Sequence, residues 1–271
     1  LLRRAYERWR HLQSRLGEPI LVVTGGLDIG RPDGRTVSGS LASAREHGLE
    51  HEVYDARALH TRWPGWDLTD DLVGVYSPDA GFVLSERAIA GQATLALEAG
   101  AEIHGHEPVL GWELDGDGVI VRTGVAEYRA RRLIVSAGAW LGTLVDALAP
   151  VAVPERQVLL WAATRQRALF KPEAMPIFIL DVDEGLFYGF PEYGIPGLKI
   201  GAMHHRREVI DPEAWDRAVI EPADEPLLRA ALSRYLPLAN GPTLSLKTCM
   251  FTNTPDEHFI IDTLPGAPQV V

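Results

Sequence analysis

Leu2, Ala5, Trp9, Leu12 and Leu16 recur at helical spacing and predict an amphipathic helix that Gly17 closes. Two short apolar runs, 20–24 and 27–29, flank Gly25-Gly26 and read as a hairpin. A second helix is expected over 37–47, closed by Gly48, followed by a strand at 53–54, a helical turn capped by Asp55, and a loop at Trp63-Pro-Gly-Trp66. Ser85 is placed to cap a helix over 86–98 ending at Gly100, with a strand at 101–104 directly after it. Alternating runs at 109–114 and 119–123 flank Asp115-Gly-Asp-Gly118, a turn sequence, and a third strand is expected near 126–128. The unbroken apolar run Leu133-Ile-Val-Ser136 has the texture of a strand buried on both faces of a parallel sheet. A helix should follow it to residue 148.

Beyond Pro150 the predicted strands lengthen: 157–164, 177–182, 186–190 and 198–203. A helix over 225–236 would bury Leu228, Ala231, Leu232 and Tyr235, and strands at 244–252 and 259–262 complete the chain. The pattern is α+β, an α/β part of βαβ texture interleaved with a mixed, largely antiparallel sheet. The chain opens on Leu1 and stops on Pro-Gln-Val-Val271 within what reads as a strand, as a fragment would.

Composition narrows the partners. The 271 residues carry 26 Lys plus Arg against 37 Asp plus Glu, a formal charge of −11 with no blocks of like charge. Nucleic acid or an anionic membrane would call for a basic patch, so neither is expected. No apolar run approaches the ~20 residues that span a bilayer. A single cysteine excludes an internal disulfide and makes the reducing cytoplasm the default compartment.

Residue chemistry alone leaves several readings open. Gly25-Gly-Leu-Asp-Ile-Gly30 has the wrong spacing for a phosphate loop and reads as a turn. His104 and His106 would share one strand face, but no third ligand accompanies them, so no metal is expected. The adjacent pair His204-His205 points to opposite faces, so at most one of them reaches any site. Lys199, in Gly197-Leu-Lys-Ile-Gly201, has only glycines beside it on its own face, which leaves room for a planar ligand; the plain alternative is a solvated strand lysine. Cys249 lies in an apolar strand, where a small buried hydrophobe is the plain reading.

The run Lys247-Thr-Cys-Met-Phe-Thr-Asn-Thr-Pro-Asp-Glu-His-Phe-Ile-Ile-Asp262 closely resembles the flavin-linked segment of monomeric sarcosine oxidases and N-methyl-L-tryptophan oxidases, and Thr263-Leu-Pro-Gly266 is most like the latter. Arg62-Trp-Pro-Gly65, Pro78-Asp-Ala-Gly81, Leu133-Ile-Val-Ser-Ala-Gly-Ala-Trp140 and Tyr188-Gly-Phe-Pro191 agree with the same family in order and spacing. The resemblance implies an FAD-dependent amine oxidase architecture. Residues 85–150 and 253–271 would form part of the FAD-binding domain, 17–84 and 151–252 the substrate domain, and 1–16 a connecting helix. The family's glycine-rich N-terminal motif and its closing segment would lie outside the chain.

Carried over residue by residue, the resemblance makes Cys249 the covalent attachment to FAD and Lys199 the group that activates oxygen. Tyr188, Phe251 and His204 would meet the substrate, with His205 as the alternative histidine because the spacing after Lys199 is one residue longer than in the family. Val109, Ser136, Ala137, Gly138 and Trp140 would lie along the cofactor. Phe251 stands where sarcosine oxidases carry a tyrosine, which suggests a more apolar pocket. The implied reaction oxidises a secondary amine such as sarcosine or N-methyltryptophan to an imine, which water splits to formaldehyde and an amino acid while O2 becomes H2O2. The implied partners are a small amine and O2, and the enzyme is expected to be a monomer. Rival readings are an oxidase of cyclic imino or glycated amino acids, or a truncated, catalytically silent binding protein.

Overall fold

The computed structural model describes residues 1–271. In chain order its first elements are α1 (Leu2–Leu16), β1 (Leu21–Val23), β2 (Gly26–Gly30), α2 (Arg35–His47), β3 (Glu52–Asp55), α3 (Ala56–Arg62), β4 (Val73–Ser77), β5 (Gly81–Val83) and α4 (Ser85–Glu98). Then come β6 (Val109–Asp115), β7 (Gly118–Thr123), β8 (Glu127–Ala130) and the single-turn α5 (Leu141–Leu144). The chain continues through β9 (Val153–Ala162), β10 (Ile177–Val182), β11 (Gly185–Phe190), β12 (Leu198–Ala202), α6 (Asp224–Tyr235) and β13 (Thr243–Asn253). Contacts divide it into two units: 1–101, 157–205 and 217–248 form the first, and 102–156, 206–216 and 249–271 the second.

All but one of the local end signals named for the first unit's helices are obeyed. Gly17 and Gly48 close α1 and α2 in the left-handed region, at φ 68° and 60°. The Asp55 carboxylate accepts the Ala58 N–H at 2.7 Å and so caps α3. Ser85 does not cap α4; it is the first helical residue, and its hydroxyl donates to the Glu86 carboxylate instead.

Strand partners depart from expectation. β1 and β2 do not form a hairpin: β1 pairs antiparallel with β5, whereas β2 runs parallel to β10 and antiparallel to β4. Gly25, at φ 73°, turns the chain between the two sheets, and its N–H and that of Thr24 both donate to Ala80 O. A side chain there would run into the Tyr76 ring, at 2.4 Å.

The main sheet has eight strands in the order β13-β9-β12-β11-β10-β2-β4-β3. Its registers put Leu27, Ile29, Phe178, Leu180, Phe187, Leu198, Ile200, Ala202, Val158, Leu160 and Ala162 on one face, all buried. Leu228, Ala231, Leu232 and Tyr235 of α6 join the same core, as the helical spacing predicts, together with Trp63, Trp66, Phe170 and Met175. Tyr235 keeps its hydroxyl satisfied by donating to the Glu184 carboxylate at 2.8 Å. Burial, and then that carboxylate, push the phenol up to about 12. Gln157 of β9 is wholly buried, and neither polar atom of its carboxamide has a hydrogen-bond partner.

In the second unit β6, β7 and β8 form a meander, and Gly116 at φ 57° makes the predicted turn between β6 and β7. Val119, Ala267 and Val270 centre a small core with Trp112, Leu133, Val135 and Leu264 around it. The run 133–136 pairs in parallel as expected, but only through a bridge from Leu133 to Val270, and Ile134 is 74% exposed. It lies against the last residues of the chain on one edge only, so it is not buried on both faces. The helix expected to run to 148 is broken into α5 and short 3₁₀ turns at Gly138–Trp140 and Asp146–Leu148. Residues 101–104 and 259–262 are not strands, and Phe259 and Ile261 stand exposed. Apolar content signalled strand there, but no pairing strand meets either segment.

Candidate active site

The face of the main sheet opposite the core gathers the unusual chemistry. Cross-strand register pairs Lys199 of β12 with Trp161 of β9 on one side and with Phe190 of β11 on the other. The same registers set Tyr188 opposite Gly201, and Gly201 opposite Leu159. Side chains alternate along strands, so Leu198 and Ile200 anchor β12 in the core while Lys199 points the other way.

The Lys199 ammonium stands 5.0 Å from the Trp161 ring centroid and 5.0 Å from that of Phe190, within cation–π range of both. From Phe190 an edge-to-face aromatic chain extends to Tyr188 at 6.2 Å and to Phe82 at 5.9 Å, and Phe82 meets Tyr193 at 5.2 Å. Glu86 at the start of α4 supplies the nearby negative charge. Its own backbone N–H first, then the Ser85 hydroxyl and the Lys199 ammonium, hold its carboxyl below the usual range.

Entry into β12 is fixed by a buried carboxylate. Glu192 accepts the Gly197 N–H at 3.2 Å and pairs with Arg167. The Arg167 guanidinium, and then that N–H, keep Glu192 low and ionised. Gly197 needs its glycine: φ is 94°, and a Cβ would fall 2.5 Å from Ala162 O.

The space expected over the glycines beside Lys199 is partly filled. The Tyr188 ring lies across Gly201, where a Cβ would meet Cζ at 2.6 Å. The face therefore presents rings and an ammonium rather than bare backbone. Trp161 and Phe190 were not singled out from sequence, because only the register of β9 and β11 against β12 brings them to Lys199.

His204 and His205 follow β12 in a turn, both left-handed, at φ 57° and 30°. The His205 side chain is buried against the buried Asp224 carboxylate, with Nε2 3.4 Å from Oδ1. His204 is itself 9% exposed. His104 lies in a coil segment, not a strand, beside Glu107 and Tyr128.

The remaining candidates belong to the second unit. Cys249 is a free, half-buried thiol on β13, and Phe251, two residues on, shares its strand face. Val109 opens β6 and is 40% exposed. Ser136 and Gly138 are exposed and Ala137 half-buried; Gly138 is left-handed at φ 55° with open space where a Cβ would be. The Trp140 indole N–H donates to the Glu213 carboxylate.

The sequence profile described as FAD dependent oxidoreductase matches residues 1–271. The chain belongs to the FAD-dependent oxidoreductase family. Among curated members, it is 38% identical over 274 residues to the monomeric sarcosine oxidase of Streptomyces avermitilis, covering 100% of this chain and 71% of that protein. It is 35% identical over 271 residues to the N-methyl-L-tryptophan oxidase of Citrobacter koseri, covering 98% and 70%.

Among solved structures, NikD, an unusual amino acid oxidase essential for nikkomycin biosynthesis, superposes with TM-score 0.78 at 24% identity over 97% of this chain and 70% of NikD. L-proline dehydrogenase from P. horikoshii gives TM-score 0.80 at 17% identity, over 99% and 70%. Both likenesses establish the α+β fold of this oxidoreductase family.

The residues present suit the family's cofactor. A half-buried aromatic face carrying one fixed ammonium fits a planar ring that takes on negative charge, and a half-buried thiol is chemically fit to hold such a ring covalently. The open left-handed turn at Gly138 leaves backbone exposed for close approach of a ligand.

Proposed function

We propose that this FAD-dependent oxidoreductase oxidises a secondary amine, an N-methyl amino acid of the sarcosine or N-methyltryptophan type. The observation that carries the reading is the Lys199 ammonium, set on the open aromatic face of the main sheet in a chain of this family. The net reaction takes the N-methyl amine, O2 and water to the primary amine, formaldehyde and H2O2. FAD, when bound, accepts the hydride equivalent of the C–H bond and passes two electrons to O2.

Lys199 stabilises the negative charge that O2 acquires as it is reduced, and its position on a strand anchored by the core spares reorganisation at that step. Tyr188 borders the substrate, and His204 contacts it from the turn after β12; the His205–Asp224 pair holds that turn in place. Phe251 supplies an apolar wall, which favours a substrate with an apolar or aromatic side chain over sarcosine. Cys249 is the thioether attachment to the flavin, and Val109, Ser136, Ala137, Gly138 and Trp140 line the nucleotide. Residues 85–150 and 253–271 serve FAD, while 17–84 and 151–252 serve the substrate, with 1–16 connecting them. The enzyme works as a monomer in the reducing cytoplasm, where Cys249 remains a thiol until the flavin attaches.

The test begins with the visible spectrum of the purified protein before and after acid precipitation. Flavin bands that stay with the pellet are expected, and Cys249→Ala should move them to the supernatant. Peroxide release is then measured with N-methyl, cyclic imino and glycated amino acids. Lys199→Met should slow reoxidation by O2 far more than reduction by substrate. A colourless protein, or one that releases peroxide only with cyclic or glycated substrates, overturns the reading.

A further inference from the structure

Lysine is a poor choice for a fixed charge unless something restrains it, because its four-carbon stem loses rotamer freedom when its ammonium is held in place. Lys199 is restrained from both sides by direct cross-strand neighbours. Trp161 and Phe190 flank it at equal distances of 5.0 Å, and neither ring belongs to the buried core. Both face outward because Leu160 and Ala162, their companions on β9, and Phe187 on β11 take up the core side. Indole offers a cation a stronger face than a phenyl ring, so of the two flanking rings Trp161 contributes more.

We propose that Trp161 is a positioning residue for oxygen reduction: its indole fixes the Lys199 ammonium on the open sheet face, where O2 takes up charge. The inference rests on the role given to Lys199 above. It adds that this role depends on a neighbour on β9, next in the strand to the core residue Leu160, and not on Lys199 alone. In the step concerned, two electrons leave the reduced flavin and, with two protons, convert O2 to H2O2. Trp161 exchanges neither electrons nor protons; it holds the cation.

The chain contains three lysines, Lys171, Lys199 and Lys247, and the other two are exposed, so lysine-selective ¹³C labelling gives a simple spectrum. Ring currents from Trp161 and Phe190 should displace the Lys199 ε-methylene signal upfield of the other two, with Lys199→Met supplying the assignment. In Trp161→Leu the signal should move towards the exposed pair. Stopped-flow measurement of the two half-reactions should show reoxidation slowed about tenfold, the size of a partly desolvated cation–π contact, with reduction by substrate within about twofold. Trp161→Phe should recover most of both the shift and the rate.

Parental reoxidation in Trp161→Leu alongside slow reoxidation in Lys199→Met overturns the positioning role while leaving Lys199 in place. Equal slowing of both half-reactions with no recovery in Trp161→Phe also overturns it, since a mere wall behaves that way. Parental reoxidation in Lys199→Met removes the reading on which the inference stands. Should Trp161→Leu not fold, Trp161→Phe decides: a reduced ring-current shift with reoxidation about twofold to threefold slower is expected, and an unchanged shift refutes the contact.

Discussion

Gly201→Ala tests whether the open face of the sheet works as a site or merely as a surface. A Cβ at this position would lie 2.6 Å from Tyr188 Cζ, 2.7 Å from its hydroxyl and 3.0 Å from Leu159 Cδ2. Carbon atoms rest at ~3.5–4.0 Å, so the tyrosine tip must withdraw by roughly 1 Å. Tyr188 is half-buried and its far end can swing, so the stability loss should stay below about 1 kcal/mol. Gly189→Ala on the opposite face is the control. There a Cβ would meet Phe178 Cζ at 2.2 Å and the Lys199 carbonyl oxygen at 2.9 Å, and Phe178 is 3% exposed within the core. Neither neighbour can retreat, so overpacking should cost about 3 kcal/mol.

The kinetic consequence runs the other way. A displacement of ~1 Å at a group that borders the substrate lowers kcat/KM by up to ~100-fold. Gly201→Ala should therefore keep its flavin spectrum and its urea midpoint while kcat/KM falls ~10- to 100-fold. Parental kcat/KM in Gly201→Ala would remove Tyr188 from the substrate wall. A stability loss matching that of Gly189→Ala would show that the Tyr188 ring is as confined as the core.

Three further substitutions test the energetics. Asp28 is raised by burial, only partly offset by the Ser40 hydroxyl, so its charged form is penalised in the fold. Asp28→Asn should stabilise the protein by about 1 kcal/mol at pH 7, an advantage that fades as falling pH protonates the parental carboxylate; equal urea midpoints at pH 7 would refute it. Gln157→Met removes a buried amide that has no partner and should raise stability by about 1 kcal/mol, whereas a loss would show that the amide is bonded in the working enzyme. Tyr235 has its phenol raised to about 12, above the unfolded value near 10, so its contribution is complete below pH 10 and declines as pH rises towards 12. Urea midpoints between pH 9 and 11 should fall less steeply in Tyr235→Phe than in the parent, and identical slopes would refute the assignment.

Sequence disclosed the parts of this fold whose causes are local. The helix-closing glycines at 17 and 48, the Asp55 cap and the buried stripe of α6 each follow from a few neighbouring residues, and all were foreseen. Pairing has no such local cause. Gly25-Gly26 carries turn chemistry that suits a hairpin, yet β2 finds its parallel partner at β10, about 150 residues away in the chain. The segments 101–104 and 259–262 have strand composition without a strand to pair with, and composition cannot distinguish the two situations. Lys199, Tyr188 and Cys249 became candidates through family resemblance, since a strand lysine or a half-buried thiol says little alone. Trp161 lay beyond both routes, because its importance comes from a register between strands.

The two faces of the main sheet explain why that register matters. Lys199 lies between Leu198 and Ile200, both wholly buried, and its strand is flanked by β9 and β11, whose own core-side residues are equally enclosed. A lateral slip of β12 by one residue would send the lysine into the core and two aliphatic side chains outward, at a cost far beyond that of any contact on the open face. The core therefore determines which residues stand beside Lys199, although those residues lie on the opposite face of the sheet. What remains adjustable lies on the open face beyond the two rings that flank the ammonium, and there the Tyr188 ring can vary in size without disturbing the strands beneath. Substrate preference can change on such a surface while the position of the ammonium stays the same.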